Sequence, residues 1–289
     1  YRYTANMDTF KAKASDWLRE SPHRIHLGMI GLEMVKKNGS TVSITDLQNP
    51  QQELNLWTGQ MSSTFAIEGQ SVKVETLGNP DLDGISVRIS SSLLREGRLK
   101  IKIRLPLGVP QRLSYSFAQN ESHQSALLTQ KNHRALLSHQ QDSDRYLLGI
   151  RHSNGAIQAG DAHTWFITPA SDKERFECSL VFSQKEFPLS RIPNYDSIQI
   201  ANVKSWSRFW KSGGAVDFSQ CTDPRAKELE RRVVLSQYLT RINCAGTLPP
   251  QETGLTYNSW NGKFHLEMHW WHGVHFPMWQ RAEYLRAQM

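Results

Sequence analysis

Cysteine is scarce: Cys178, Cys221 and Cys244 are the whole supply in 289 residues. Three thiols so far apart exclude a disulfide framework and, without a CxxC pair, a structural zinc site, so at most one pair could bridge. Long apolar runs are also missing. None approaches the roughly 18 residues that suggest a membrane span, and no heptad repeat is present. Nor is there a block of one charge. The net charge is +7 and the pI about 9.3, which raises the question of nucleic acid. The basic residues are scattered, however, and Lys100, Lys102 and Arg104 alternate with Leu99, Ile101, Ile103 and Leu105 as the wet face of a strand would. A phosphate-backbone footprint would be clustered. No nucleic-acid partner and no membrane partner is expected.

What is present suits a globular protein. With 38% hydrophobic residues the chain can bury a real core, and a prior of roughly one domain per ~150 residues suggests two units. The chain opens at Tyr1 without a start methionine or signal peptide and stops at Met289 inside a helical pattern, so a fragment is expected and localisation stays unknown from the residues alone.

From about Gly28 to Phe187 the apolar residues repeat every second position. Val72 and Val74 follow a Glu68-Gly69 turn; Ile85, Val87 and Ile89 come next, then Leu99 to Leu105, Trp165 to Ile167 and Cys178 to Phe182. Many such segments in succession predict a mainly β, antiparallel super-sandwich over 1–193. The polar stretch Asn120 to Gln141 reads as surface connection. Asp8 to Arg19 has a helical flavour. After Pro193 the period changes. Val203, Trp206 and Trp210 predict a helical linker over 194–222, stopped by Gly213-Gly214. Over 223–289, Asp223 predicts an N-cap with Pro224 at the first helical position, and Leu229, Val233, Val234, Tyr238 and Ile242 form a broad apolar face. Pro249-Pro250 ends that helix. A second helix is predicted from Lys263 through Trp279, apolar on nearly all faces and so buried in a multi-helix body whose remainder lies beyond Met289.

The segment WNGKFHLEMHWWHGVHFPMW carries the chemistry. Flat aromatic faces and hydroxyl-binding polar groups are the makeup of a sugar pocket. Trp260, on a loop, is the best stacking candidate, whereas Trp271 and Trp279 read as core. Glu267, flanked by Met268 and Trp270, needs a hydroxyl-rich ligand or a cation, and Lys263 lies four residues earlier on the same face. His265, His269 and His272 fall at i, i+4 and i+7, but the order HLEMH is not HExxH, so no metal is expected and polar contacts are preferred. Glu252, between Pro250 and Trp260, is a further carboxylate of interest.

Taken together, LWTGQMSSTFAIEGQSVKVETLGNPDLDGISVRISSSLL, SWSRFWKSGGAVDFS and DPRAKELERRVVLSQYLTRINCAG resemble glycoside hydrolase family 65 and its relatives. The resemblance implies an N-terminal β-sandwich, a helical linker and the first helices of an (α/α)6 barrel, the six-hairpin glycosidase architecture. Asn261-Gly262-Lys263-Phe264-His265-Leu266-Glu267 occupies the place of a Gly-His-x-Phe-Trp-Asp segment that contacts the sugar in the −1 subsite. Gly262 matches the Gly and Glu267 stands for the Asp, while Lys263 replaces the His, His265 the Phe and Leu266 the Trp. These departures put the chain off the trehalose, maltose and kojibiose phosphorylase branch and leave the sugar open.

The resemblance further implies an inverting glycoside hydrolase acting on α-linked di- or oligosaccharides, with Trp260, Asn261, Lys263, His265, Glu267 and His269 contacting substrate. Its acid and base would lie beyond Met289, leaving Glu267 as a weak catalytic candidate better suited to positioning substrate. Inverting carboxylates stand ~6.5–9.5 Å apart to admit a water. A disaccharide phosphorylase of the same family and a non-catalytic carbohydrate-binding protein are the alternatives. No cofactor is implied. The partner is a carbohydrate, a homodimer is admitted, and a periplasmic or secreted location is favoured by the resemblance.

Overall fold

The computed structural model describes residues 9–20, 24–109, 115–118, 120–170, 172–255 and 260–289. In chain order the strands are β1 Met29–Met34, β2 Gln48–Asn55, β3 Gln60–Ile67, β4 Gln70–Gly78, β5 Gly84–Ser90, β6 Leu99–Arg104, β7 Leu107–Gly108, β8 Tyr115–Ser116, β9 His123–Lys131, β10 Arg134–Gln141, β11 Asp144–His152, β12 Ala156–Ala159, β13 Thr164–Thr168 and β14 Arg175–Ser183. The helices are α1 Thr9–Glu20, α2 Ser92–Arg95, α3 Tyr195–Trp210, α4 Ala226–Cys244, α5 Leu266–Gly273, α6 His275–Met278 and α7 Glu283–Arg286. The chain divides into two compact units: one spans Leu27–Leu107 and Phe117–Trp210, and the other holds chiefly α1 and Lys211–Met289.

The first unit is the antiparallel sandwich that the period-two pattern predicts. One sheet has the order β1-β6-β13-β12, the other β2-β3-β4-β5-β14-β11-β10-β9. In β6 the alternation is strict: Leu99, Ile101 and Ile103 are buried while Lys100, Lys102 and Arg104 point outward, and Lys102 pairs with Glu33 of β1 at 2.7 Å. The inner faces meet in one apolar layer that includes Val72, Ile89, Leu137, Ile150, Phe176 and Leu180. Tight turns hold the register. Glu68 (φ 49) and Gly69 (φ 79) both occupy the left-handed region between β3 and β4, the geometry that suits the right-handed twist of a hairpin. Asn132 and His133 do the same between β9 and β10.

That second hairpin corrects the expectation of a loop over Asn120 to Gln141. In β10 the inward positions are Ala135, Leu137, His139 and Gln141, so half of the buried face is polar and the apolar alternation is masked. His139 (1% exposed) and His123 of β9 (4%) meet with their ring nitrogens 3.4 Å apart, and His163 stacks on His123 at 3.8 Å between ring centres. Burial, reinforced by the neighbouring histidines, pushes both His123 and His139 down to about 4.

Helix α3 covers the outer face of the large sheet. Tyr195 and Ile198 pack on Leu77 of β4, and Asn202 donates to the Gly78 carbonyl at 2.5 Å. Where the chain crosses β11, Gly149 leaves no space for a side chain. A Cβ there would stand 2.5 Å from the Phe187 ring and 2.9 Å from Ile192.

In the second unit α4 starts at Ala226, later than Pro224. Asp223 caps the preceding turn instead, accepting from the Arg225 N–H at 2.8 Å. Its expected apolar face is covered only in part: Val233, Val234 and Tyr238 are half-buried, Leu229 and Ile242 are exposed, and the fully buried positions are Ala226, Gln237 and Cys244. The predicted helix from Lys263 to Trp279 is also broken. Pro277 has no N–H for the Gly273 carbonyl, so the hydrogen-bond ladder is interrupted between α5 and α6, and Gln280 (φ 58) ends the second piece. Leu266, Trp270, Trp271 and Met278 are exposed, not buried as the sequence suggested. No described helix is long and apolar enough to cross a membrane.

The histidine cluster predicts a pH dependence. His123 and His139 titrate near their ordinary value of 6.5 when unfolded but near 4 when folded, so the sandwich retains their full contribution above pH 6.5 and loses it as pH falls toward 4. Thermal melts between pH 7.5 and 4 should show the midpoint dropping through this window. An H123Q/H139Q double variant should have a flatter profile; equal slopes would remove these two residues as the cause.

Candidate functional site

Trp260 sits at φ 48 and Gly262 at φ 68, bending the backbone through a short 3-10 turn, Trp260–Gly262, before α5. Within that turn the Lys263 N–H reaches the Trp260 carbonyl at 3.2 Å. His265, still extended at φ −116, occupies the N-cap position of α5. The turn projects the Trp260 indole outward, 67% exposed, with the His265 ring edge-on at 6.1 Å between centres.

Glu252 joins this group. Its Oε2 lies 4.0 Å from His265 Nε2, and its backbone carbonyl is 3.1 Å from His272 Nε2. The sequence separates Glu252 from His265 and His272 by more than a dozen residues, and the fold brings it to both. Burial, countered in part by the Glu252 carbonyl, holds His272 below the usual imidazole range. His269 turns elsewhere, with Nε2 3.1 Å from Gln288 Oε1, and Phe264 meets its ring edge-on at 6.1 Å. Each histidine of the i, i+4, i+7 set thus faces its own acceptor, and no group of three potential metal ligands exists among the described residues.

The two residues expected to pair do not. Lys263 Nζ donates to the Leu18 carbonyl of α1 at 3.0 Å. Glu267 is exposed and makes no side-chain hydrogen bond or ion pair among the described residues. Solvent therefore satisfies the carboxylate that the sequence placed in an apolar setting, because the face of α5 that carries it is open. Of Asn261, only the backbone belongs to the described turn. The segment thus groups Trp260, His265 and Glu252, while Lys263, Glu267 and His269 point to other surroundings.

Sequence reasoning missed the polar support beneath this segment. Arg281, fully buried, donates to Gln237 Oε1 of α4 at 2.8 Å and to the Ser212 carbonyl at 2.7 Å. Gln237 Nε2 in turn donates to the Gly214 carbonyl at 2.8 Å. The strand of chain that leads into α4 is thereby tied to the turn that follows α6. No local pattern marks an arginine for such a place; only the folded unit reveals it.

No known protein family and no curated protein matches the sequence. Among solved structures the chain is similar to a bacterial glucoamylase complexed with acarbose, with a TM-score of 0.57 at 8% identity, over 89% of this chain and 43% of that one. Another similar structure is a putative kojibiose phosphorylase from the human microbiome, with a TM-score of 0.40 at 10% identity, over 77% of this chain and 34% of that one. The chain has the fold of part of the glucoamylase: an antiparallel β-sandwich followed by a helical region. It spans less than half the length of that protein.

Replacing Arg281 tests the support. Arg281→Met takes the donor from the buried Gln237 Oε1, a loss of about 1–3 kcal/mol, and removes the tie to the Ser212 carbonyl. Hydrogen exchange should accelerate over 211–289 while β3, β4, β5 and β14 keep their protection. Unchanged exchange in the helical unit would show that Arg281 does not hold it.

Proposed function

We propose that this chain is the N-terminal part of an inverting glycoside hydrolase acting on α-linked di- or oligosaccharides. On this reading the helical unit opens an (α/α)6 barrel, and Trp260, Asn261, Lys263, His265, Glu267 and His269 lie along the −1 sugar. The general acid and base belong to later parts of the barrel. Export to the periplasm or the medium is part of the same reading.

The observation that carries it is the composition of the turn before α5. An exposed indole face stands beside an imidazole and the Glu252 carboxylate, and the exposed Glu267 follows that imidazole by two residues. An indole face packs on the C–H face of a pyranose, and imidazole and carboxylate groups take up its hydroxyls. The fold shared with a glucoamylase supports the architecture in which such a turn would face a barrel axis. Glu267 is suited to bind and orient, since its exposed carboxylate is held by no described side chain.

The test uses the full-length parent protein. Glu267→Gln should lower kcat/KM on its α-linked disaccharide by at least about a hundredfold, ~2.7 kcal/mol, without shifting the melting midpoint. Trp260→Ala should act mainly through KM. Unchanged kinetics in E267Q would take Glu267 out of the site, and turnover that depends on inorganic phosphate would replace the hydrolase by a phosphorylase.

A further inference from the structure

The sandwich unit has a cavity of about 290 Å³ on its large sheet, lined by Arg134, Arg151, Asn132, His133, Glu177 and Asn194 among others. Arg134 of β10 and Arg151 of β11 are direct cross-strand partners. Directly opposed residues in a sheet share one face at close range, and like charges in that relation are destabilising. The two guanidinium groups nevertheless stay together, each fixed by a neutral acceptor: Arg134 Nε donates to the Leu189 carbonyl and Arg151 Nη1 to the Ile192 carbonyl, both at 3.1 Å. Neither has an ion-pair partner among the described residues. The one carboxylate on the wall, Glu177, is already held by Arg88 Nε at 2.7 Å and Arg175 Nη2 at 2.9 Å. Burial and the charge of Arg134 hold Arg151 below its ordinary value, with the Glu177 carboxylate opposing them in part. The fold therefore holds two neighbouring guanidinium groups that have no direct ion pair among the described residues, anchored by backbone carbonyls on the wall of one cavity.

We propose that this cavity binds a small polyol carrying one oxyanion group, a sugar phosphate or a uronic acid. Fixed guanidinium forks are the groups that recognise an oxyanion in two-point fashion. A bare tetrahedral anion would fill only a fraction of the space. The rest is bordered by the Asn132 side chain and the Nδ2 of Asn194, neither of which is engaged by a described residue and both of which can serve hydroxyls. Asn194 Oδ1 is occupied by the Ser197 N–H at 2.9 Å, which fixes the amide in place.

The probes are glucose 6-phosphate, glucuronate, inorganic phosphate and glucose, titrated into the chain by calorimetry at low salt. Saturable binding of both acidic sugars, at least tenfold tighter than phosphate and with glucose silent, is the expected result, and the tighter acidic sugar identifies the natural class. Arg134→Gln and Arg151→Gln should each weaken that binding tenfold or more with an unchanged melting midpoint. Should either variant unfold, amide shifts in the wild-type protein decide: expected are ligand-induced changes at Asn132, His133 and Ser153. No heat and no shifts with any anion would overturn the site, as would shifts confined to other residues. Phosphate binding as tightly as the acidic sugars would overturn the polyol. None of these residues belongs to the segment from Trp260 to His269, so this result and that of the E267Q test can fail separately.

Discussion

One apolar layer between two sheets sets the terms for the sandwich. Ile89, Ile101, Ile103, Ile150, Ile167 and Leu180 meet there, and because successive side chains of a strand point to opposite faces, that layer dictates the register of every strand beside it. A slip of one residue would turn Leu99, Ile101 and Ile103 to water and draw Lys100 and Lys102 inside. The outer faces are free to vary, and they do: that of the small sheet carries the Lys102–Glu33 pair, and that of the large sheet the cover of α3 and the opposed arginines.

What the sequence reveals of this arrangement follows how apolar the buried positions are. The strands from Val72 to Leu105 could be read directly, since their inward residues are Val, Ile and Leu. The hairpin of β9 and β10 could not, because His123, His139 and Gln141 take inward places at which only apolar residues count as a signal. Helix α3 was legible from the spacing of Val203, Trp206 and Trp210. The break between α5 and α6 was less so: Pro277 was visible, but the aromatic density around it outweighed the missing N–H.

The candidate site divides in the same way. Trp260 and His265 are seven positions or fewer from each other and from Glu267, so their association with one turn is local and could be read. Glu252, Gln288 and Arg281 arrive from other parts of the helical unit, and nothing in their immediate sequence announces it. The pairing of Lys263 with Glu267 was a fair inference from helical spacing, yet Lys263 precedes α5 and reaches α1 instead. Helical spacing argues only for residues that are both inside the helix.

Gly149 has a meaning beyond its own position. Its missing side chain is the seat of the Phe187 ring and of Ile192, residues that lie well downstream in the chain. A larger residue at 149 would be admitted only if 187 became smaller and the end of the 192 side chain gave way as well. The three sites thus carry one shared volume, and through the course of descent they would be expected to change together or to stay as they are.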